Sequence, residues 1–174
     1  MLSYLWNHPA IVGIPVLLGI SLLAIVKGGA AARQASLLNL GFALGVTGLH
    51  FLPIAPEQVA ALALVGDALL ALGFLWLALR HRSLWLAGAM MAQGTAFAFH
   101  AFLLEQQNSE IEQKTYLIFA VGMNLMTWMV MLLILTGTII FWRRNQAAKR
   151  RKAAAAMASA DNGPMPPETA KPAF

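Results

Sequence analysis

The sequence predicts an all-α membrane protein in which five transmembrane helices form one bundle, with the N-terminus outside the cell and the C-terminus in the cytoplasm. Three observations predict this fold. Of the 174 residues, 59% are hydrophobic and only 11% are charged, whereas a soluble domain carries roughly 25% charged residues. The hydrophobic residues form five long runs, and nearly every charge lies between the runs. Basic and acidic gaps alternate along the chain.

Each hydrophobic run is long enough for a membrane-spanning helix, which needs about 20 mostly apolar residues. Helices are expected because the runs do not alternate apolar and polar residues as barrel strands do, and because a helix satisfies its own backbone in lipid. The connections are short, so sequential helices should be antiparallel neighbours. The predicted spans are Pro9–Val26, Gln34–Leu52, Val59–Leu79, Ser83–Leu104 and Tyr116–Trp142.

The charges of the connections predict the orientation in the membrane. Lys and Arg favour cytoplasmic loops. Lys27 and Arg33 flank the first connection, and Arg80 and Arg82 lie in the third. The second connection carries only Glu57, and the fourth carries three glutamates and one lysine. This alternation predicts that the first and third connections and the C-terminal segment lie in the cytoplasm.

A basic tail follows the last predicted span. The transmembrane domain is predicted to cover residues 1–144, and residues 145–174 are predicted to form a largely disordered tail, basic at first and then rich in Ala and Pro. A basic cluster beside a cytoplasmic helix end typically contacts anionic lipid, at about 1 kcal/mol per residue. Nucleic-acid binding is the less favoured alternative, because the cluster is short and adjoins a span. The predicted headgroup-binding residues are Arg143, Arg144, Lys149, Arg150, Arg151 and Lys152.

One carboxylate lies within a predicted span. Asp67 is about ten residues into the third run, roughly 15 Å deep and close to the midplane. A charged carboxylate there costs a few kcal/mol and faces the bundle interior or water. No Lys or Arg lies at that depth, so a protonated Asp67 hydrogen-bonded to an amide such as Gln93 or Asn124 is expected. With Thr127, these residues form a predicted intramembrane polar site. Its function would be to carry a proton or to clasp helices together.

Two histidines lie near the outer ends of the second and fourth predicted helices. His50 is roughly 5 Å deep and His100 roughly 6 Å deep, and Tyr116 begins the fifth helix at nearly the same level. Two imidazoles at one depth could ligate haem b, bind a metal ion or hydrogen-bond a quinone. The alternative is a pair of interfacial histidines that hydrogen-bond loops or lipid headgroups.

Three glycines lie on one side of the second helix: Gly41, Gly45 and Gly48. Glycine faces allow another helix backbone to approach closely. The opposite side carries a polar and small stripe that includes Ser36, Asn39 and Ala43. The second helix is therefore expected to have neighbours on two sides.

The sequence contains no catalytic, nucleotide-binding or metal motif of known mechanics, so no catalytic residue is assigned and a non-enzymatic role is favoured. The absence of cysteine excludes disulfides and Fe–S ligation by this chain. The leading hypothesis is an accessory or anchoring subunit of a larger membrane complex, with other subunits or further copies as partners. One alternative is a small-solute or proton-linked transporter that uses Asp67. Another is a haem b or quinone-binding electron carrier that uses His50 and His100. The composition is typical of a bacterial inner-membrane protein.

Overall fold

The structure is a computed structural model that describes residues 9–49, 51, 53, 55–105 and 113–161. Within these ranges helices are joined only by turns and short irregular connections, and the described residues form no strand. This confirms the all-α prediction. The helices are α1 (Pro9–Lys27), α2 (Ala30–Leu49), α3 (Pro56–His81), α4 (Leu84–Glu105) and α5 (Gln113–Asp161).

The five helices form a closed ring. Each helix packs against its neighbour in sequence, and α5 packs back onto α1 and α2. The tightest connection joins α3 to α4. There Arg82 adopts a left-handed conformation (φ 47°), and its N–H donates to the carbonyl oxygen of Ala78. This closing turn satisfies a free carbonyl at the helix end and turns the chain directly into α4.

Three helices are long and apolar enough to cross a membrane. Their apolar stretches are Gln58–His81, Leu84–Glu105 and Leu117–Ala158, while the described apolar stretch of α1, Gly13–Lys27, is shorter. Large apolar side chains point away from the bundle: Leu69 and Leu79 are 62% and 71% exposed. An apolar surface of this extent is typical of contact with lipid or a partner protein, as expected of an integral membrane protein.

The last helix is longer than the sequence analysis expected. α5 continues for 49 residues, to Asp161, whereas the span was predicted to end at Trp142 and the tail to be disordered. The added segment consists largely of Ala, Lys and Arg, which are strong helix formers, and contains neither Gly nor Pro. Its side chains up to residue 158 are exposed. Residues 162–174, also predicted to be disordered, lie outside the described residues.

The apolar core lies in one half of the bundle, which we call the packed half. Its fully buried members include Ala24 on α1, Ala35 on α2, Phe74 on α3, Leu86 on α4 and Ile134 on α5. All of them lie toward the end where the α1–α2 and α3–α4 connections turn. Close packing therefore joins all five helices at the end that carries the basic connections.

Glycines allow close helix contact at two positions outside the packed half. A Cβ atom on Gly66 of α3 would meet the ring of Phe42 on α2, and a Cβ atom on Gly122 of α5 would lie 2.8 Å from the ring of Phe99 on α4. A bulkier residue at either position would push the aromatic ring away from the neighbouring helix.

Among the described residues, the predicted glycine face of α2 has no neighbour. A Cβ atom on Gly41, Gly45 or Gly48 would meet nothing within 4 Å. Of the two sides on which neighbours were expected, the side opposite the glycines is therefore the one that packs within the described part of this chain. The reason is the ring arrangement, in which α2 turns its other side toward α1, α3 and α5 and its glycines outward.

Candidate functional site

A cavity of about 420 Å³ occupies the half of the bundle opposite the packed half, and all five helices contribute to its wall. Most of the wall is apolar, as in small-molecule sites generally. Two aromatic side chains, Phe42 and Trp128, are part of it. The polar side chains of the wall are Asn39, Asp67, Gln93, His100, Asn124 and Thr127.

Helical spacing explains why the third and fourth helices supply the central polar groups. On α3, Asp67, Leu70 and Phe74 recur every three or four residues and are all buried, so they share the inward face. On α4, Gln93 and Ala96 are buried and His100 follows four residues later on the same face. These two inward faces oppose each other across the α3–α4 contact.

Asp67 is the centre of the site. It is buried, with 3% of its surface exposed. The Nε2 amide of Gln93 donates to its Oδ1 at 2.7 Å. The Nδ1 atom of His100 shares a short hydrogen bond with its Oδ2. Both carboxyl oxygens thus have a partner from α4, which keeps the cost of burying them low.

The partnership of Asp67 with His100 differs from the two polar layers expected from the sequence. When depth is counted from the outer end of each predicted helix, His100 lies much closer to the outer membrane surface than Asp67. The α3–α4 hairpin gives a better measure, since Asp67 lies fifteen residues before Arg82 and Ala98 lies fifteen residues after Ser83. Asp67 is therefore level with a point between Gln93 and His100. Side chains also lean toward the N-terminus of their own helix, which tilts Asp67 and His100 toward each other.

The other predicted polar residues take different positions. Asn124 and Thr127 line the same cavity from α5 and are exposed within it. The Thr127 hydroxyl donates to the Met123 carbonyl oxygen at 3.1 Å, a bond within its own helix. Of the two amides proposed as partners of Asp67, Gln93 is the one in contact.

The predicted histidine pair is described only in part. His50 lies outside the described residues, as does the side chain of Tyr116. His100 lines the cavity, and its side chain is 39% exposed. Among the described residues, no group of three or more His, Cys, Asp or Glu could hold a metal ion.

The Asp67–His100 contact joins two proton-binding groups, a carboxyl and an imidazole, through one hydrogen bond. His100 touches the buried carboxylate with one ring nitrogen and is partly exposed to the cavity. It thus connects the interior carboxyl group to the space where a ligand or water would lie.

The packed half closes the cavity at one end. Leu70 of α3 and Val130 of α5 line the cavity and are also buried members of the core. One turn further into the packed half, Phe74 and Ile134 are fully buried. Asp67 therefore lies at the boundary between the cavity and a tightly packed apolar barrier.

The predicted lipid-binding residues follow the packed half along α5. Arg143, Arg144 and the four basic residues from Lys149 to Lys152 are all exposed. Arg144 also lines a second cavity of about 310 Å³, together with His81 and Ser83. His81 is engaged there, since its Nε2 donates to Oε1 of Gln34 at 2.9 Å.

Sequence reasoning missed three features of the site: the contact between Asp67 and His100, and the contributions of Asn39 and Trp128 to its wall. The hairpin register contained the first signal, because the short turn fixes which residues of α3 and α4 are level. Asn39 was assigned to a polar stripe of α2, but nothing in the sequence showed which helix that stripe faces.

No protein-family model, curated protein sequence or solved structure matches this chain.

Proposed function

We propose that this chain is a five-span integral membrane protein that binds a small solute in the cavity and moves it together with a proton held by Asp67 and His100. In the proposed topology the N-terminus is outside and the C-terminus is in the cytoplasm, in a bacterial inner membrane. The cavity then faces the outer half of the membrane, and the packed half forms the cytoplasmic barrier.

One observation carries this proposal: a buried carboxylate, bonded on both oxygens, lies at the wall of a cavity built by all five helices. Ionisable side chains inside a membrane are rare and costly, and they commonly mark proton or substrate pathways. A clasp between helices would need the hydrogen bonds but no adjoining space. The cavity beside Asp67 therefore favours proton-linked binding over a purely structural role.

Transport would require the packed half to open. Phe74, Val130 and Ile134 belong to α3 and α5 and are buried in the barrier. Separating them while the cavity side closes would expose Asp67 to the cytoplasm. The proton on the Asp67–His100 pair is positioned to bias such a change, since it alters the charge of the pair at the boundary.

The test is pH-driven flux across liposomes that contain the purified protein. The wild type should move solute and protons across the membrane when a pH gradient is applied. Asp67→Asn should abolish this flux, because an amide cannot exchange a proton at this position. Glu105→Gln is the matched control, since Glu105 is an exposed carboxylate at the end of α4 and its replacement should leave flux unchanged. Equal flux from Asp67→Asn and the wild type would eliminate the mechanism.

A second candidate function, an accessory subunit of a membrane complex, is favoured by a separate observation. On the glycine face of α2, a Cβ atom at Gly41, Gly45 or Gly48 would meet nothing within 4 Å among the residues that the structure describes. Helix pairs in membranes often meet at small residues. Extraction in mild detergent should then recover an assembly larger than the chain itself. Recovery of an active monomer alone would contradict it.

The electron-carrier alternative remains a prediction with a simple spectroscopic test. The hydrogen bond between Nδ1 of His100 and Asp67 is of the kind that orients haem-ligating histidines, but the proposed second ligand, His50, lies outside the described residues. Haem b would give purified protein a strong Soret absorption. A spectrum without that band would remove haem from consideration.

A further inference from the structure

We infer that the cavity binds an uncharged, largely apolar molecule that presents a carbonyl oxygen to Nε2 of His100. This inference rests on the proposed function, because it names the class of solute that the cavity takes. Four features of the cavity support this inference: the charge of its wall, its apolar lining, the protonation state of the Asp67–His100 pair, and the volume of the cavity.

The first feature is charge. Asp67 and His100 are the only ionisable side chains among the described residues of the cavity wall. They are bonded to each other, and when the pair is protonated and neutral overall, neither side chain is left to neutralise an ionic ligand. A charge held within the membrane without a partner costs several kcal/mol. A charged solute would bring that cost with it, whereas an uncharged solute would not.

The second feature is the wall. Its apolar part includes Ile14, Leu17 and Val46, and two aromatic side chains, Phe42 and Trp128, face the same space. Small-molecule sites of this kind bury an apolar body and use a few polar groups to orient it. The polar groups here lie on α2, α3, α4 and α5, so they converge on the ligand from several directions.

The third feature is the proton. A neutral imidazole next to a carboxylate has one negative charge. When one more proton binds, the Asp67–His100 pair is neutral overall. That proton arrangement can be written as imidazolium with carboxylate or as imidazole with carboxylic acid. In both forms Nδ1 and Oδ2 share one hydrogen, and Nε2 carries the other. The neutral pair therefore donates a hydrogen bond from Nε2, and the matching group on a ligand is an acceptor such as a carbonyl oxygen.

Loss of the extra proton reverses the preference. The pair then has one negative charge, Nδ1 keeps its hydrogen for Asp67, and Nε2 becomes an acceptor. A carbonyl oxygen facing that nitrogen would meet a lone pair. Among the described residues, no hydrogen bond engages Nε2 of His100, and its side chain is partly exposed to the cavity. Binding of a carbonyl compound and protonation of the pair should thus favour each other.

The fourth feature is size. A space of about 420 Å³ lies within the range of roughly 300–1,000 Å³ that small-molecule pockets occupy. A fused two-ring carbonyl compound fits this range, and its flat faces could contact the rings of Phe42 and Trp128. Naphthoquinone is a convenient probe of this class. Naphthalene and naphthoate share its fused two-ring carbon skeleton but lack a neutral carbonyl group.

The experiment measures equilibrium binding of these three probes to the full chain in detergent. Naphthoquinone should bind about tenfold more tightly than naphthalene, as expected for one hydrogen bond, and more tightly than naphthoate. Its affinity should be lower when the extra proton of the pair is removed by alkaline solution, because Nε2 then becomes an acceptor. Equal binding of naphthalene would refute carbonyl recognition, and tighter binding of naphthoate would show that the site takes anions.

Variants identify the group responsible. His100→Leu should reduce naphthoquinone affinity about tenfold and leave naphthalene affinity nearly unchanged. His81→Leu is the matched control, because His81 lies outside this cavity and its loss should change neither affinity. Equal losses in the two variants would overturn the assignment. Binding with this probe preference but without pH-driven flux would uphold the ligand class and reject transport, whereas flux with no preference among the probes would do the reverse.

Discussion

Asp67 of α3 and His100 of α4 share a hydrogen bond through Oδ2 and Nδ1 at the wall of a cavity. The carboxylate is buried, whereas the imidazole is partly exposed. The pair therefore connects an interior acid to a space that a ligand can enter. Gln93 donates to Oδ1, the other carboxyl oxygen of Asp67. Two residues of α4 therefore set the position of the carboxylate.

Replacing Gln93 by Leu should destabilise the protein. The change removes the donor to Oδ1 of Asp67 and leaves a buried acceptor without a partner, which typically costs about 1–3 kcal/mol. The measurement is the free energy of unfolding in detergent. Gln146→Leu is the control, because Gln146 is exposed on α5 and surface changes usually stay within about 0.5 kcal/mol. Equal effects of the two variants would mean that the Gln93 contact contributes nothing specific.

A double-mutant cycle should show that Asp67 and His100 are energetically coupled. His100→Leu removes the shared bond, and Asp67→Asn removes the acid that makes it charge-assisted. Their combined effect on unfolding should therefore differ from the sum by about 0.5–3 kcal/mol. A second cycle pairs Asp67→Asn with His81→Leu, and His81 instead bonds Gln34. Its effects should add to within about 0.5 kcal/mol. Additivity in both cycles would show that the Asp67–His100 bond is absent in solution.

Two glycines should respond differently to the same substitution. Gly122→Ala places a Cβ atom 2.8 Å from the ring of Phe99, and that ring also packs edge-on against Phe119, so it has little room to yield. Overpacking of this kind costs about 1–3 kcal/mol. Gly45→Ala meets nothing within 4 Å and gains up to about 1 kcal/mol of helix propensity.

Thermal unfolding of the two glycine variants measures this difference, with the wild type as reference. We expect Gly122→Ala to melt below and Gly45→Ala at or above the wild type. A Gly45→Ala variant that unfolds early would instead indicate that a second protein chain packs on the glycine face of α2, as the accessory-subunit hypothesis requires.

The orientation in the membrane can be tested with single cysteines, because the chain has none of its own. Ala154→Cys lies on the basic end of α5 and Glu105→Cys at the end of α4. In the proposed topology, a reagent that cannot cross the membrane should label Glu105→Cys in intact cells. It should label Ala154→Cys only after the cells are opened. The opposite pattern would invert the topology and place the cavity toward the cytoplasm.

Much of the local structure follows from the sequence alone. Uninterrupted apolar runs predict helices, since a helix satisfies its own backbone hydrogen bonds in lipid and these runs lack the alternation of barrel strands. Helical spacing likewise places Gln93, Ala96 and His100 on one face of α4 without knowledge of any neighbour. The presence of a single carboxylate inside a span was also sufficient to identify Asp67 as the residue that most needs a partner.

Which partner it finds was decided only by the tertiary structure. Asp67 bonds His100 because a short turn sets the register of α3 against α4. In that register each of the two side chains leans toward the N-terminus of its own helix and so toward the other. The glycines of α2 face outward because α1, α3 and α5 occupy its other side. A periodic pattern shows which residues share a face of a helix, but the direction of that face depends on contacts between segments distant in the chain.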